Sequence, residues 1–258
     1  IGYDPWLHTD AVRIRLKAAC DDAGATLVAV SDNPVDKIWT SQPVAPISPM
    51  VPHPQKYSGE STTKKRAAIV NTLKNSNLDA AVLTTPDSIA WLLNIRGSDI
   101  PKNPVPHGFA LLNADATVDL FIAPEKLTDL GDHLGASVRT HAPDEFVPAL
   151  KAREGTVRID PASCPVAVHE ALSNPVDGED PCILPKACKN EAELDGTRAA
   201  HLRDACAMVR FLAWFDDNAP HMAHQVRGAQ ERADCGAERH NAAPKAQLVA
   251  IHGRQDSR

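Results

Sequence analysis

The side chains best suited to chemistry sit in three places. Near the C-terminal end, His221 and His224 stand three residues apart, and one helix face could present both imidazoles to a metal ion. Cys235 and His240 follow, so the four loosely imitate a zinc site. Their spacing matches no common zinc finger, and no metal ligand is assigned. Upstream, Arg96-Gly97-Ser98-Asp99 could form an exposed recognition loop. Asp and Ser beside Gly are also ordinary turn chemistry, with Asp99 bonding its own turn, and this structural reading is favoured. His107, between Pro106 and Gly108, has no visible acid, base or nucleophile partner, so a structural role is expected. Neither a phosphate-cradling Gly-rich loop nor a Gly-x-Ser-x-Gly elbow is present. On this reading there is no catalytic, cofactor-binding or metal-ligating residue in the chain.

The elements around these residues follow from periodicity. Residues 10–24 read as a helix capped by Asp10, and 26–30 as a strand. Five prolines between 43 and 54 make 41–60 an extended, stiff linker. A helix then runs from about Ser61 to Asn75 with Ala67, Val70 and Leu73 inside. Ala80-Ala81-Val82-Leu83-Thr84 is a buried strand, followed by a helix over 88–95 that Asp87 caps and Gly97 stops. Pro101 and Pro104 make 98–106 a shaped loop. The apolar runs 108–112 and 117–122 flank a turn and predict a hairpin. Helices are expected over 124–133, 143–152 and 163–172, with strands at 137–140, 156–160 and 181–185. The last helix starts at Asn190, which with Glu193 approaches a capping box, and ends at Pro220. Alternating strands and helices with one hairpin predict an α/β domain with a mixed sheet flanked by helices. An isolated long helix and an irregular tail should follow it.

Composition excludes several roles. The net charge of −6 argues against nucleic acid. No apolar run approaches the ~20 residues of a membrane span, and no signal peptide is visible. The six cysteines form no Cys-x-x-Cys pair or framework, and no Asn-x-Ser/Thr sequon occurs, which fits a reducing, cytoplasmic setting. Residues 206–215 hold one charge, Arg210, and are apolar all round the helix. They are expected to be exposed, sticky and the main self-association site.

Three stretches carry a family resemblance. They are Asp87-Ser-Ile-Ala-Trp-Leu-Leu-Asn-Ile-Arg-Gly-Ser-Asp-Ile-Pro101, the pair Ile1-Gly-Tyr-Asp-Pro5 and Val35-Asp-Lys-Ile-Trp39, and Lys189-Asn-Glu-Ala-Glu-Leu194 with Arg198-Ala-Ala-His201. In this order they resemble long-form Xaa-Pro aminopeptidases (aminopeptidase P) over roughly residues 1–220. The resemblance implies five segments. Residues 1–40 would be the end of a first creatinase-like domain, 41–60 a linker and 61–185 a second creatinase-like α/β domain. Residues 186–220 would be the first helix of a catalytic domain, and 221–258 a disordered or non-native tail. It also implies a parent enzyme that releases an N-terminal residue preceding proline. That enzyme uses two divalent metal ions, commonly manganese, held by two Asp, one His and two Glu. All five ligands would lie downstream of the Asn190 helix, and none aligns with a residue here. Peptide substrates would therefore belong to the full-length parent. This chain is expected to be an inactive fragment whose gene product starts upstream of Ile1. The alternative is a non-catalytic α/β scaffold or interaction module descended from that domain.

Overall fold

The structure, a computed structural model, describes residues 1–237, with side chains described through Ala219. It divides into two units, residues 1–196 and 197–258. In chain order, the first unit opens with β1 (Gly2–Tyr3), α1 (Asp10–Asp22), β2 (Val28–Ala29) and α2 (Pro34–Ile38). Next come β3 (Val51–Pro52), α3 (Gln55–Ser58), α4 (Thr62–Asn75), β4 (Ala80–Leu83), α5 (Pro86–Leu92) and β5 (Ile95–Arg96). The second half adds β6 (Phe109–Asn113), β7 (Val118–Phe121), β8 (Val138–His141), α6 (Phe146–Lys151) and β9 (Val157–Ile159). It closes with α7 (Val166–Ala171), β10 (Pro175–Asp177), α8 (Ile183–Ala187) and the start of α9 (Glu191–Ala237).

Six strands form one mixed sheet in the order β10-β9-β4-β6-β7-β8. The β10-β9-β4 and β7-β8 pairs are parallel, while β4-β6 and β6-β7 are antiparallel. Central β4 is buried on both faces, as its unbroken apolar run requires. Ala81 and Leu83 join a core layer with Ile69, Leu73, Leu92 and Leu112. Ala80 and Val82 face the other way, onto Leu111, Phe146, Leu150 and Val157. The predicted mixed α/β sheet and the hairpin are thus present, with β6 and β7 as the hairpin arms.

Several boundaries differ from expectation, each for a local reason. Thr9, not Asp10, caps α1, and Asp10 instead turns inward to Arg13 and His169. Pro86 occupies the first position of α5, where its missing N–H costs nothing, so Asp87 lies inside the first turn and pairs with Lys186. That helix stops at Asn94, which adopts a left-handed φ of 48°, and not at Gly97. Ala67 is exposed, and the inward stripe of α4 carries Lys65, Arg66, Ile69, Val70 and Leu73. The helix expected over 124–133 is one 3₁₀ turn, Pro124–Leu127, because Gly131 and Gly135 take positive φ. Pro165 sets the start of α7, which is shorter than predicted. Residues 183–187 are helical rather than a strand, and the last strand is β10. Pro185 fits in the first turn of α8, where no backbone donor is needed. Pro220 does not end α9, which continues to Ala237. Residues 221–237 include four Ala, two Gln and two Arg, good helix formers that help offset a lost backbone bond. Residues 221–237 are therefore helical, and the rest of the expected irregular tail, 238–258, lies outside the described residues.

The expected linker is only partly a linker. Residues 39–47 are exposed, but Met50 is fully buried and donates its backbone N–H to the Lys126 carbonyl. Val51–Pro52 then pairs with β5. Residues 1–11 lie against α7: the Val166 N–H reaches the His8 carbonyl, the Ala167 N–H the Pro5 carbonyl, and Asp10 the His169 ring. Among the described residues no helix is long and apolar enough to cross a membrane.

Candidate functional site

The loop after β5 is organised by charge. The Asp99 side chain is wholly buried, and its Oδ2 accepts from Lys126 Nζ at 2.5 Å and from the His107 backbone N–H at 2.6 Å. Lys126, itself 4% exposed at its side chain, also donates to the His107 carbonyl at 3.1 Å. Asp99 therefore reaches eight residues along the chain and onto the 3₁₀ turn, not into its own turn as expected. The other carboxylate oxygen, Oδ1, is buried without a partner. A charge pair of this kind locks the loop, because removing either partner strands the other in a dry site. The imidazole of His107 is exposed and no catalytic partner lies beside it among the described residues; its backbone does the work of closing the loop.

Asn94 is a second hub. Its Oδ1 accepts from Lys65 Nζ at 2.8 Å, its Nδ2 donates to the Glu60 carbonyl, and its own carbonyl accepts from the His53 N–H. Lys65 also donates to the Trp91 carbonyl and lies 4.4 Å from the Trp91 ring centroid. Burial lowers the Lys65 pKa, with Glu193 and Glu60 opposing. Burial likewise lowers His53, and the nearby Arg96 and Lys65 charges add to it. Arg96 of β5 donates to the Ile95 carbonyl; burial is the main cause of its lowered pKa, opposed by the Glu193 charge. Beside this hub α9 begins. The Glu193 N–H donates to Asn190 Oδ1 and the Asn190 N–H to Glu193 Oε2, the reciprocal capping box that the spacing predicts. Asn190 Nδ2 also donates to the Ser58 carbonyl.

None of this is a reaction centre. Among the described residues no three His, Cys, Asp or Glu side chains converge to hold a metal. The buried carboxylates are committed elsewhere: Asp160 accepts from the Ala162 and Asp180 N–H groups, and Asp180 from Cys182 N–H and Thr85 Oγ1. Of the sequence candidates, Arg96 through Asp99 and His107 share one loop. His221, His224 and Cys235 fall on α9 where side chains are not described, and His240 lies outside the described residues. Lys65, Asn94 and Lys126 were not picked out by the sequence. A lysine in a helical stripe reads as solvated until its neighbours are known. The one weak signal for Asn94 was a residue type that tolerates left-handed backbone at a helix end.

The model of the Creatinase/Prolidase N-terminal domain matches residues 41–193. The chain belongs to this family. That domain includes the whole of the expected linker, 41–60, and both hubs. Over 249 aligned residues the chain is 32% identical to a probable Xaa-Pro aminopeptidase P of Talaromyces stipitatus, covering 90% of this chain and 38% of the relative. It is 30% identical to Aminopeptidase P1 of Arabidopsis thaliana, covering 84% of this chain and 38% of that protein. An X-prolyl aminopeptidase of Caenorhabditis elegans, described as a cytosolic enzyme with a di-nuclear active site, superposes with a TM-score of 0.77 at 31% identity. The match covers 84% of this chain and 37% of the nematode enzyme. The chain thus spans under two-fifths of the length of these creatinase-type relatives.

Proposed function

We propose that this chain is the non-catalytic, N-terminal-side part of a cytoplasmic Xaa-Pro aminopeptidase, a metallopeptidase that releases the residue before a proline. The observation that carries the reading is the similarity to Xaa-Pro aminopeptidases along 84–90% of the chain. The parent chemistry is metal-assisted hydrolysis in which paired divalent ions, commonly manganese, activate water and polarise the scissile carbonyl. The described residues do not fit such a centre, since their buried carboxylates are held by backbone amides, Arg13, His169, Thr85 and Lys126. No step is therefore assigned to them, and the 258-residue chain is inactive by itself. Its own contribution is to seat the start of α9: Asn190 caps the helix while gripping the Ser58 carbonyl. Sequencing the DNA beyond codon 220 and translating it in all three frames tests the reading. Segments carrying two Asp, one His and two Glu in the parent order are expected in one of the three frames. Ordinary coding sequence ending in a clean stop, with no such segments, overturns the reading in favour of a stand-alone module.

A further inference from the structure

The N-terminal segment meets the rest of the first unit at one imidazole. Residues 1–11 lie along α7 through backbone bonds, from the Val166 N–H to the His8 carbonyl at 2.9 Å and from the Ala167 N–H to the Pro5 carbonyl at 3.1 Å. Beside these bonds, His169 of α7 stands between two carboxylates. Its Nδ1 lies 3.1 Å from Asp10 Oδ2, at the start of α1. Its Nε2 lies 3.9 Å from Asp177 Oδ1, at the end of β10, which is an ion-pair distance and too long for a hydrogen bond. The Asp10 side chain is 9% exposed and that of Asp177 68%, so the contact to Asp10 is the stronger one. Only the imidazolium carries a proton on both nitrogens. The neutral ring donates once and turns a lone pair towards the other carboxylate.

The charges around the ring are mainly negative. The Cys164 thiol, just before α7, is pushed up to about 12 by burial and then by the Asp10, Asp160 and Asp177 charges. Glu170, next to His169 on α7, raises Tyr3 of β1 after burial does, and raises Arg13 of α1 after its hydrogen bond to Asp10. Arg13 is the opposing cation. It donates from Nε to Asp10 Oδ1 and leaves Oδ2 to the ring. Arg13 and Asp10 both belong to α1, so their bond does not cross the joint, whereas the His169 contact does. His8, the other imidazole beside the joint, points its Nδ1 at the Asp4 carbonyl within the segment itself, at 2.8 Å.

We propose that His169 is a proton-operated latch, whose imidazolium ties residues 1–22 to α7 and β10 and whose deprotonation loosens them. Histidine ordinarily exchanges its proton between about pH 5 and 8. A docked arrangement that favours the protonated ring is, by linkage, tighter at the acid end and looser as pH rises. The backbone bonds remain, so the segment loosens without detaching.

The test is amide hydrogen exchange of the whole chain, read by NMR at about pH 5.5 and about pH 8. Protection factors divide out the intrinsic pH dependence of exchange. The Val166 and Ala167 amides report the joint, and the Met50 and Leu78 amides, bonded to the Lys126 and Leu73 carbonyls, report the fold away from it. Protection at Val166 and Ala167 is expected to fall about fivefold from the lower to the higher pH, as for an ion pair worth about 1 kcal/mol, with Met50 and Leu78 unchanged. His169→Gln is expected to lose the response and to match, at both values, the wild type at the higher pH. Asp177→Asn offers the neutral ring a donor in place of the second carboxylate, and its response is expected to shrink to about twofold or less. Retained protection at Met50 and Leu78 certifies each variant as folded. A wild type with no pH response at Val166 and Ala167 overturns the proposal. A full response in His169→Gln overturns it as well, by assigning the proton to another group such as His8. A full response in Asp177→Asn overturns the two-carboxylate basis of the latch.

Discussion

Replacing Asp99 by Ala probes the buried pair that closes the loop after β5. The substitution leaves the Lys126 ammonium, 4% exposed at its side chain, with one neutral partner, the His107 carbonyl at 3.1 Å. The His107 N–H also loses its acceptor at 2.6 Å. Breaking a buried pair from one side costs about 3–5 kcal/mol. Part of this is recovered, because Asp99 Oδ1 is already buried without a partner, a penalty of about 1–3 kcal/mol that the substitution removes. The central values leave a net expected loss of about 2 kcal/mol in urea unfolding followed by circular dichroism. Asp99→Ala combined with Lys126→Met removes both charges and keeps the apolar stem. This double variant should be more stable than Asp99→Ala, within about 1–2 kcal/mol of wild type. Lys126→Met alone should resemble Asp99→Ala, since it strands the carboxylate. A single variant within about 0.5 kcal/mol of wild type, the ordinary range of a surface change, would refute the argument. A double variant no better than the single would do the same.

Three further outcomes are expected. Gly59→Ala should destabilise by about 2–3 kcal/mol, because φ is +70° there and a Cβ would sit 2.2 Å from Asn190 Oδ1; unchanged hydrogen exchange at the Glu193 amide would contradict it. Asp119 is pushed up by burial but more strongly down by hydrogen bonds from Arg139, Asn113 and His141, to about 2. Its stabilising share is present above the unfolded value near 3.8 and is lost as pH falls towards 2; Asp119→Asn should flatten the stability profile in that window, and an unaltered profile counts against the network. Iodoacetamide should label Cys188 and Cys206, which are exposed, before Cys164, whose thiol burial pushes up to about 12, and Cys182, which burial also raises. Early labelling of Cys164 or Cys182, read by peptide mapping, would show that their packing is looser than described.

The sheet was legible because its residues obey period-two and buried-run rules. Ala80 to Leu83 and the two arms around Asn113 have few other ways to pair. The capping box at Asn190 was legible for a similar reason: both partners lie within one turn. The loop locks were not legible. Asp99 meets Lys126 across 27 residues, and Lys65 meets Asn94 across 29. Local rules assign such lysines to solvent and such Asp residues to their own turns. The same limit explains the inward stripe of α4, where Lys65 and Arg66 occupy positions that a hydrophobic count would give to Ala67. Short helices were misplaced wherever a proline or glycine changed role with position: Pro86 and Pro185 sit at helix starts, and Gly131 interrupts an otherwise helical spacing.

The most direct test of the account is catalytic. The purified chain, with manganese added and with a metal-free control, is offered a peptide beginning Xaa-Pro, and release of the first residue is followed by chromatography. No metal-dependent release is expected, because among the described residues no three His, Cys, Asp or Glu side chains converge and the buried carboxylates are held in structural bonds. Manganese-dependent release at a turnover of order 1 per second or above, within the ordinary range of enzymes, would contradict the account.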